Sequence, residues 1–341
     1  MSDNEVVLNT DNDNISLSVI IPFYNTGRYL VQCLDSVLKA EITNAVEIIL
    51  VDDGSTDDSA EIAKGYAARY SNIRIITTSH EGQSEARNAG IKAAKGKYIF
   101  FCDSDDEVIP DAFSRIIRLS RTAESDIVLW DAELFNDDGS PVSKKRADYF
   151  IHKGLNENDG ILTGKRIIEK QLDARRDFPA TVWLGMHLRT FLTGNDLYFE
   201  KGLLNEDELW VIKTILKAQK VEYINVKTYR YRIRPGSITN PESDDRTEYI
   251  KALLFIYPAL YSFCEENFGG DPFLKKIEAC LTKRYLHMIF QYDFCKYGYG
   301  WQIDRKKLKD TAGRLTDKCR VMLLNIRCGN KKNSSGTGDH E

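Results

Sequence analysis

The chain has 341 residues, 42% of them hydrophobic, with 47 Lys and Arg against 51 Asp and Glu. That is enough apolar mass for one large core or two domains, and a net charge of −4 sets up no basic field of the kind that holds nucleic acid. Seven cysteines are scattered, odd in number and without C-x-x-C spacing, which argues against a disulfide framework or a zinc cage and predicts free thiols.

Residues 1–14 are polar, with no basic n-region and no apolar h-region, so they read as a disordered lead-in and not as a signal peptide. The longest apolar runs are strand-sized, short of the roughly 20 residues that span a bilayer. The expectation is a soluble, cytoplasmic protein. Residues 17–23 are a buried strand by their mainly apolar run, followed by a turn and a helix with apolar positions at 30, 34, 37 and 38. A second strand, 46–51, ends in the polar turn 52–57, and a helix follows to about 70. A third strand, 73–77, leads to a helix from Gly82 through Ala94. Residues 98–102 are a fourth strand, and it stops at Asp103, Asp105 and Asp106. Strands alternating with helices predict a mostly parallel sheet with helices on both faces. The polar turns after the strands should then converge on one edge, where open α/β sheets bind ligands.

Beyond Pro110 the pattern is mixed. A helix at 112–121, a short strand at 126–130, a helix at 209–218 and a strand at 221–234 are expected. From 248 the periodicity is helical, and the polar stretch 240–246 reads as a linker. The expected organisation is a lead-in (1–14), a domain at 15–240 with halves 15–111 and 112–240, a smaller helical C-terminal domain at 247–328, and a disordered tail at 329–341.

Carboxylates as close as Asp103, Asp105 and Asp106 repel one another unless something positive sits among them. A hard divalent cation is one answer, and a solvated acidic turn is another. Asp53 could accept the imide N–H of a pyrimidine, although its neighbours Ser55, Thr56 and Asp57 also suit a helix cap. The helix opened by Gly82 and Gln83 offers free N–H groups to a phosphate, with Arg87 adding charge. Glu206, Asp207 and Glu208 fit the first turn of a helix capped by Asn205. They also suit a general base, because crowded carboxylates have raised pKa values. Arg230, Arg232 and Arg234 share one face of a strand and need an anion, such as a diphosphate, or open water.

Four motifs in order, VIIPFYN at 19–25, VDDGSTD at 51–57, GQSEARNAG at 82–90 and DSDD at 103–106, resemble the inverting family-2 glycosyltransferases of the bacterial polysaccharide-assembly type. Weaker matches follow at Glu206-Asp207 and at RIRPGSI, 232–238. The resemblance implies a GT-A (Rossmann-like) fold. It also implies transfer of a sugar from a nucleotide-sugar, a UDP-sugar, to a hydroxyl of a glycan or lipid-linked glycan. By the same resemblance, Pro22, Tyr24, Asp53, Gln83, Arg87 and Asp103 would bind the nucleotide, and Asp105 would hold Mn²⁺ or Mg²⁺. Asp207 would be the catalytic base, with Glu206 the alternative. Arg232, Arg234 and Ser237 would fold over the diphosphate, and Trp183 and Arg189 would shape the acceptor site. A nucleotidyltransferase and a catalytically inactive sugar-nucleotide-binding module are the competing readings. A dehydrogenase is disfavoured, since no Gly-x-Gly-x-x-Gly follows the first strand. In the tail, Leu308, Ala312, Leu315, Cys319, Met322 and Ile326 form a stripe at helical spacing among many Lys and Arg. That stripe suits either packing on the protein's own helices or peripheral contact with the inner face of the membrane.

Overall fold

In the computed structural model, residues 15–40, 45–235 and 245–328 are described. The N-terminal half alternates as the apolar runs require: β1 (Leu17–Phe23), α1 (Gly27–Leu38), β2 (Val46–Asp52), α2 (Ser59–Arg69), β3 (Ile73–Thr77), α3 (Gln83–Ala93) and β4 (Tyr98–Phe101). Every residue of β1, β2 and β4 is buried, because helices cover both faces of the sheet and leave no solvated side to alternate toward. β2 pairs with β1, β3 with β2 and β4 with β1, all in parallel.

The second half is mixed. It runs β5 (Glu107–Val108), α4 (Pro110–Thr122), β6 (Ile127–Asn136), α5 (Lys144–Ala147), α6 (Gly164–Arg175), β7 (Gly185–Leu188), α7 (Arg189–Gly194), α8 (Glu206–Lys217) and β8 (Val221–Ile233). α4 begins two residues earlier than its periodicity suggests, since Pro110 occupies the first helical position, where its missing N–H costs nothing. Among the described residues the sheet order is β3-β2-β1-β4-β7-β6-β8-β5. β7 lies antiparallel between β4 and β6, and β6 pairs in parallel with β8. Four residues with a glycine among them are too short to announce a central strand in the sequence.

The last described stretch is helical, as expected: α9 (Thr247–Phe268), α10 (Pro272–Gln291), α11 (Arg305–Thr311) and α12 (Leu315–Arg327). Their buried residues join the core of the sheet body. Arg284 of α10 donates to Asp177 (2.8 Å) and Glu208 (2.5 Å), and the Tyr257 hydroxyl of α9 also reaches Glu208 (3.3 Å). The expected lead-in, the tail and most of the expected linker lie outside the described residues. One expectation fails. Cys295 and Cys328 are disulfide-bonded, with Cα atoms 5.2 Å apart, because the chain after α10 folds back to meet the end of α12. A sequence separation of 33 residues carries no signature of that meeting. No described helix is long and apolar enough to cross a membrane.

Candidate active site

The chain steps from β1 to β2 and β3 on one side, then returns to place β4 on the other side of β1. The crevice beyond the carboxyl ends of β1 and β4 is therefore a topological switch point, the favoured ligand position in such sheets. β4 pairs with β1 only as far as Phe101 opposite Ile20, so Pro22, which has no N–H to offer a neighbour, sits where that pairing has ended. Across the crevice the Thr26 hydroxyl donates to Ser104 Oγ (3.0 Å). Tyr24 is 40% exposed, and its ring lies 4.2 Å from the His80 ring. This leaves an aromatic surface at the crevice mouth on which a base could stack.

Asp53 is buried, and its carboxylate organises the loop before α3. It accepts from the Thr78 hydroxyl (2.7 Å) and from the backbone N–H groups of Glu81 (2.9 Å) and Gly82 (2.9 Å). That loop delivers α3, and α3 delivers Arg87. Gly90 lets the helix lie close on β1, since a Cβ there would come 2.4 Å from Ile20 Cγ2.

Arg87, 1% exposed, is the junction of the site. One guanidinium nitrogen donates to Asp103 Oδ1 (2.9 Å); another donates to Asp207 Oδ1 (3.0 Å) and to Glu206. Gln83 Nε2 also reaches Asp103 Oδ1 (3.3 Å). Residues from the end of β4, the first two turns of α3 and the start of α8 thus meet on one buried cation. The cap expected for α8 is not made. Asn205 takes a left-handed conformation (φ 58°) with no side-chain cap bond, and Glu206 and Asp207 turn toward Arg87.

Loss of water pushes the Asp207 carboxyl up to about 7; Arg87 opposes that rise and the Glu206 charge adds to it. Burial likewise raises Asp103 to about 6, with Arg87 opposing and Asp207 and Asp105 adding. A carboxylate poised near 7 is suited to removing a proton from a hydroxyl.

The acidic turn divides by orientation. Asp106 points inward, accepting from the Tyr229 hydroxyl (2.7 Å) and the Arg232 backbone N–H (2.7 Å). Burial holds its carboxyl well above the usual range, and the Asp105 and Asp103 charges add to that. Asp105 points outward and accepts from Arg234 Nε (2.8 Å) through one oxygen; among the described residues its other oxygen has no protein partner. No group of three or more metal-ligating side chains occurs among the described residues. The donor set nonetheless fits a hard cation of the kind held by one or two carboxylates and completed by water and a ligand's phosphates, with Asp105 and Asp103 as the available oxygens.

The arginine face of β8 finds protein carboxylates more than solvent. Arg232 is buried and donates to Glu107, Asp137, Gln32 and the Asp105 carbonyl, which leaves little of it to turn toward a diphosphate. Arg230 pairs with Glu133 and Glu107. Arg234 is held on Asp105 and, among the described residues, keeps guanidinium N–H groups to spare. Ser237 lies outside the described residues. Trp183 is buried and stacked on Tyr229 (4.5 Å) and Tyr231 (5.6 Å), so its ring supports the floor of the acidic turn. Arg189 is not brought to the site. It begins α7 at the amino end of β4, where its Nε donates to the Gly96 carbonyl (2.9 Å). Sequence reasoning passed over Asp106 and Tyr229 as anchors and His80 as the partner of Tyr24. The period-two alternation of 229–234 separated tyrosines from arginines, but it could not say that Tyr229 reaches under the turn.

Residues 18–174 match the sequence model of Glycosyl transferase family 2. The glycosyltransferase YibD of Escherichia coli (strain K12) is 33% identical over 67% of this chain and 64% of its own length. The chain thus spans less than two thirds of that relative. GlyG of Streptococcus pneumoniae serotype 4 is 34% identical over 67% of this chain and 74% of its own. Among solved structures, S. aureus TarS 1–349 in complex with UDP-GlcNAc superposes with a TM-score of 0.63, covering 92% of this chain and 88% of that one. At 19% identity that likeness is one of fold.

Proposed function

The chain belongs to glycosyl transferase family 2, and from that premise we propose that it moves a sugar from a UDP-sugar to a hydroxyl of a glycan or lipid-linked glycan acceptor, inverting the anomeric configuration. The observation that carries the reading is the Arg87 junction, which joins Asp103 on the crevice side to Asp207 and Glu206 at the start of α8. The nucleotide half and the proton-accepting half of such a reaction would then share one buried charge. The relative TarS, solved with UDP-GlcNAc bound, supports the choice of a uridine donor.

In this reading the base stacks at Tyr24 beside Asp53, and Asp103 receives the ribose. Asp207 accepts the proton of the acceptor hydroxyl as that oxygen bonds to the anomeric carbon. The bond from that carbon to the diphosphate oxygen breaks on the opposite face, and UDP leaves. Arg234 and the N–H groups at the start of α3 offer fixed positive charge to the departing diphosphate. Asp105, with Asp103, would hold Mn²⁺ or Mg²⁺, whose chemistry is to neutralise the charge that grows on the leaving group.

A panel of sugar nucleotides incubated with the protein, acceptor glycans and Mn²⁺ tests the reading. Release of UDP from one of them is the expected result, with loss of most turnover in EDTA. Release of pyrophosphate from a nucleoside triphosphate and a sugar phosphate would replace it with a nucleotidyltransferase.

A further inference from the structure

α12 has two apolar faces. Val321 and Leu324 are buried in the core together with the side chain of Asp317. At about 100° per residue, Leu315, Cys319, Met322 and Ile326 fall on the opposite side, with Leu323 beside them. Leu315 is 78% exposed, Met322 65%, Leu323 54% and Ile326 77%. The single stripe expected from the sequence is thus divided. The chain breaks between α11 and α12, Leu308 and Ala312 are buried, and only the part from Leu315 onward faces out. Trp301, 70% exposed, lies near the end of α12. Its neighbour Gly300 lies against the Cys328 side chain just past α12, and Arg305 donates to the carbonyls of both Gly300 (3.2 Å) and Cys328 (3.3 Å).

We propose that this face of α12, with Trp301, docks on the surface of an anionic lipid bilayer. Single exposed apolar residues are ordinary; a contiguous group of large ones on one helix face marks an interaction surface. Charge selects the occupant. Lys306, Lys309, Arg314, Lys318, Arg320 and Arg327 are exposed in this stretch, against Asp304 and Asp310. On the helix Lys318 flanks the stripe on one side, and Arg320 and Arg327 on the other. Arg327 shares its charge with Asp293 (2.8 Å). A stripe bordered by cations is the pattern of a helix lying in the plane of an anionic interface, and tryptophan favours that boundary. A second copy would set the same cations against one another, which opposes self-association. The proposal does not depend on the sugar-transfer reading, since no residue of the crevice takes part.

The test is co-sedimentation of the full chain with phosphatidylcholine vesicles, with and without about a third of phosphatidylglycerol. Binding is expected only to the anionic vesicles, weakening roughly tenfold or more as salt rises from low to high. Met322→Asp/Ile326→Asp should abolish it, and Lys318→Glu/Arg320→Glu should weaken it, with thermal unfolding unchanged because these side chains are exposed. A polarity-sensitive fluorophore on Cys319, the exposed free thiol among the described cysteines, should shift to the blue on anionic vesicles. A wild-type protein that stays in the supernatant at low salt, variants that sediment like wild type, or an unshifted fluorophore would each overturn the proposal. So would light scattering that finds a dimer dispersed by Ile326→Asp, which would make the occupant a second copy.

Discussion

Arg87 decides what each acid around it can do. A buried guanidinium touching Asp103, Glu206 and Asp207 compensates part of their mutual repulsion, but desolvation still leaves Asp207 near 7. If Asp207 is the proton acceptor it must be ionised, so kcat/KM should rise with pH through about 7 and then level off. Arg87→Met removes the attraction that favours ionisation, so the rising limb should move to higher pH. A profile flat from pH 5 to 9 in the wild type would remove Asp207 from that role. The types of these residues were legible in the sequence, because charged groups at strand ends and helix starts have few structural reasons to cluster. Their division of labour was not legible. Asp105 and Asp106 are adjacent and chemically identical, and it is the Tyr229 hydroxyl and the Arg232 backbone N–H that hold Asp106 inward and leave Asp105 outward. Arg230 and Arg232 of β8, and Arg234 just beyond it, appeared to await an anion because Glu107, Glu133, Asp137 and Asp105 come from other strands and turns.

At the scale of elements, the N-terminal half was readable nearly residue by residue. Its strands are largely apolar runs, and each is followed by a polar turn at the same edge. The second half was less so, because β7 is a four-residue strand whose place between β4 and β6 depends on partners distant in sequence. α3 links the two halves of the site, and its position depends on Gly90. Gly90→Ala brings a methyl against Ile20 Cγ2 and should cost about 1–3 kcal/mol of stability, the usual penalty for overpacking. It should also lower turnover by moving Arg87 away from α8. Urea unfolding and steady-state kinetics measure the two together; an unchanged midpoint with full turnover would show that the close approach is not needed.

At the scale of the whole molecule, the C-terminal helices hold the site from behind. Arg284 joins α10 to Glu208, the residue after Asp207, and to Asp177. Burial alone would raise the Asp177 carboxyl, but Arg284 and Lys283 outweigh it and hold the group down to about 2. Its contribution to stability is therefore present above the ordinary carboxylate range and lost as pH falls toward 2. Arg284→Met would leave the partly buried Glu208 without its cation and Asp177 with Lys283 alone, and should destabilise the fold by about 1–3 kcal/mol, measured by denaturant unfolding at neutral pH. No motif announced this joint, since its four residues come from segments far apart in the chain. In the proposed reaction, segments equally distant converge to make Asp207 the base of a sugar transfer whose donor binds elsewhere in the crevice. Asp207→Asn tests it most directly, with UDP-sugar affinity by calorimetry and turnover measured on one preparation. Donor affinity within about threefold of wild type and turnover lower by roughly 10²–10⁴ are expected. Turnover near wild type, or donor binding lost in step with turnover, would contradict it.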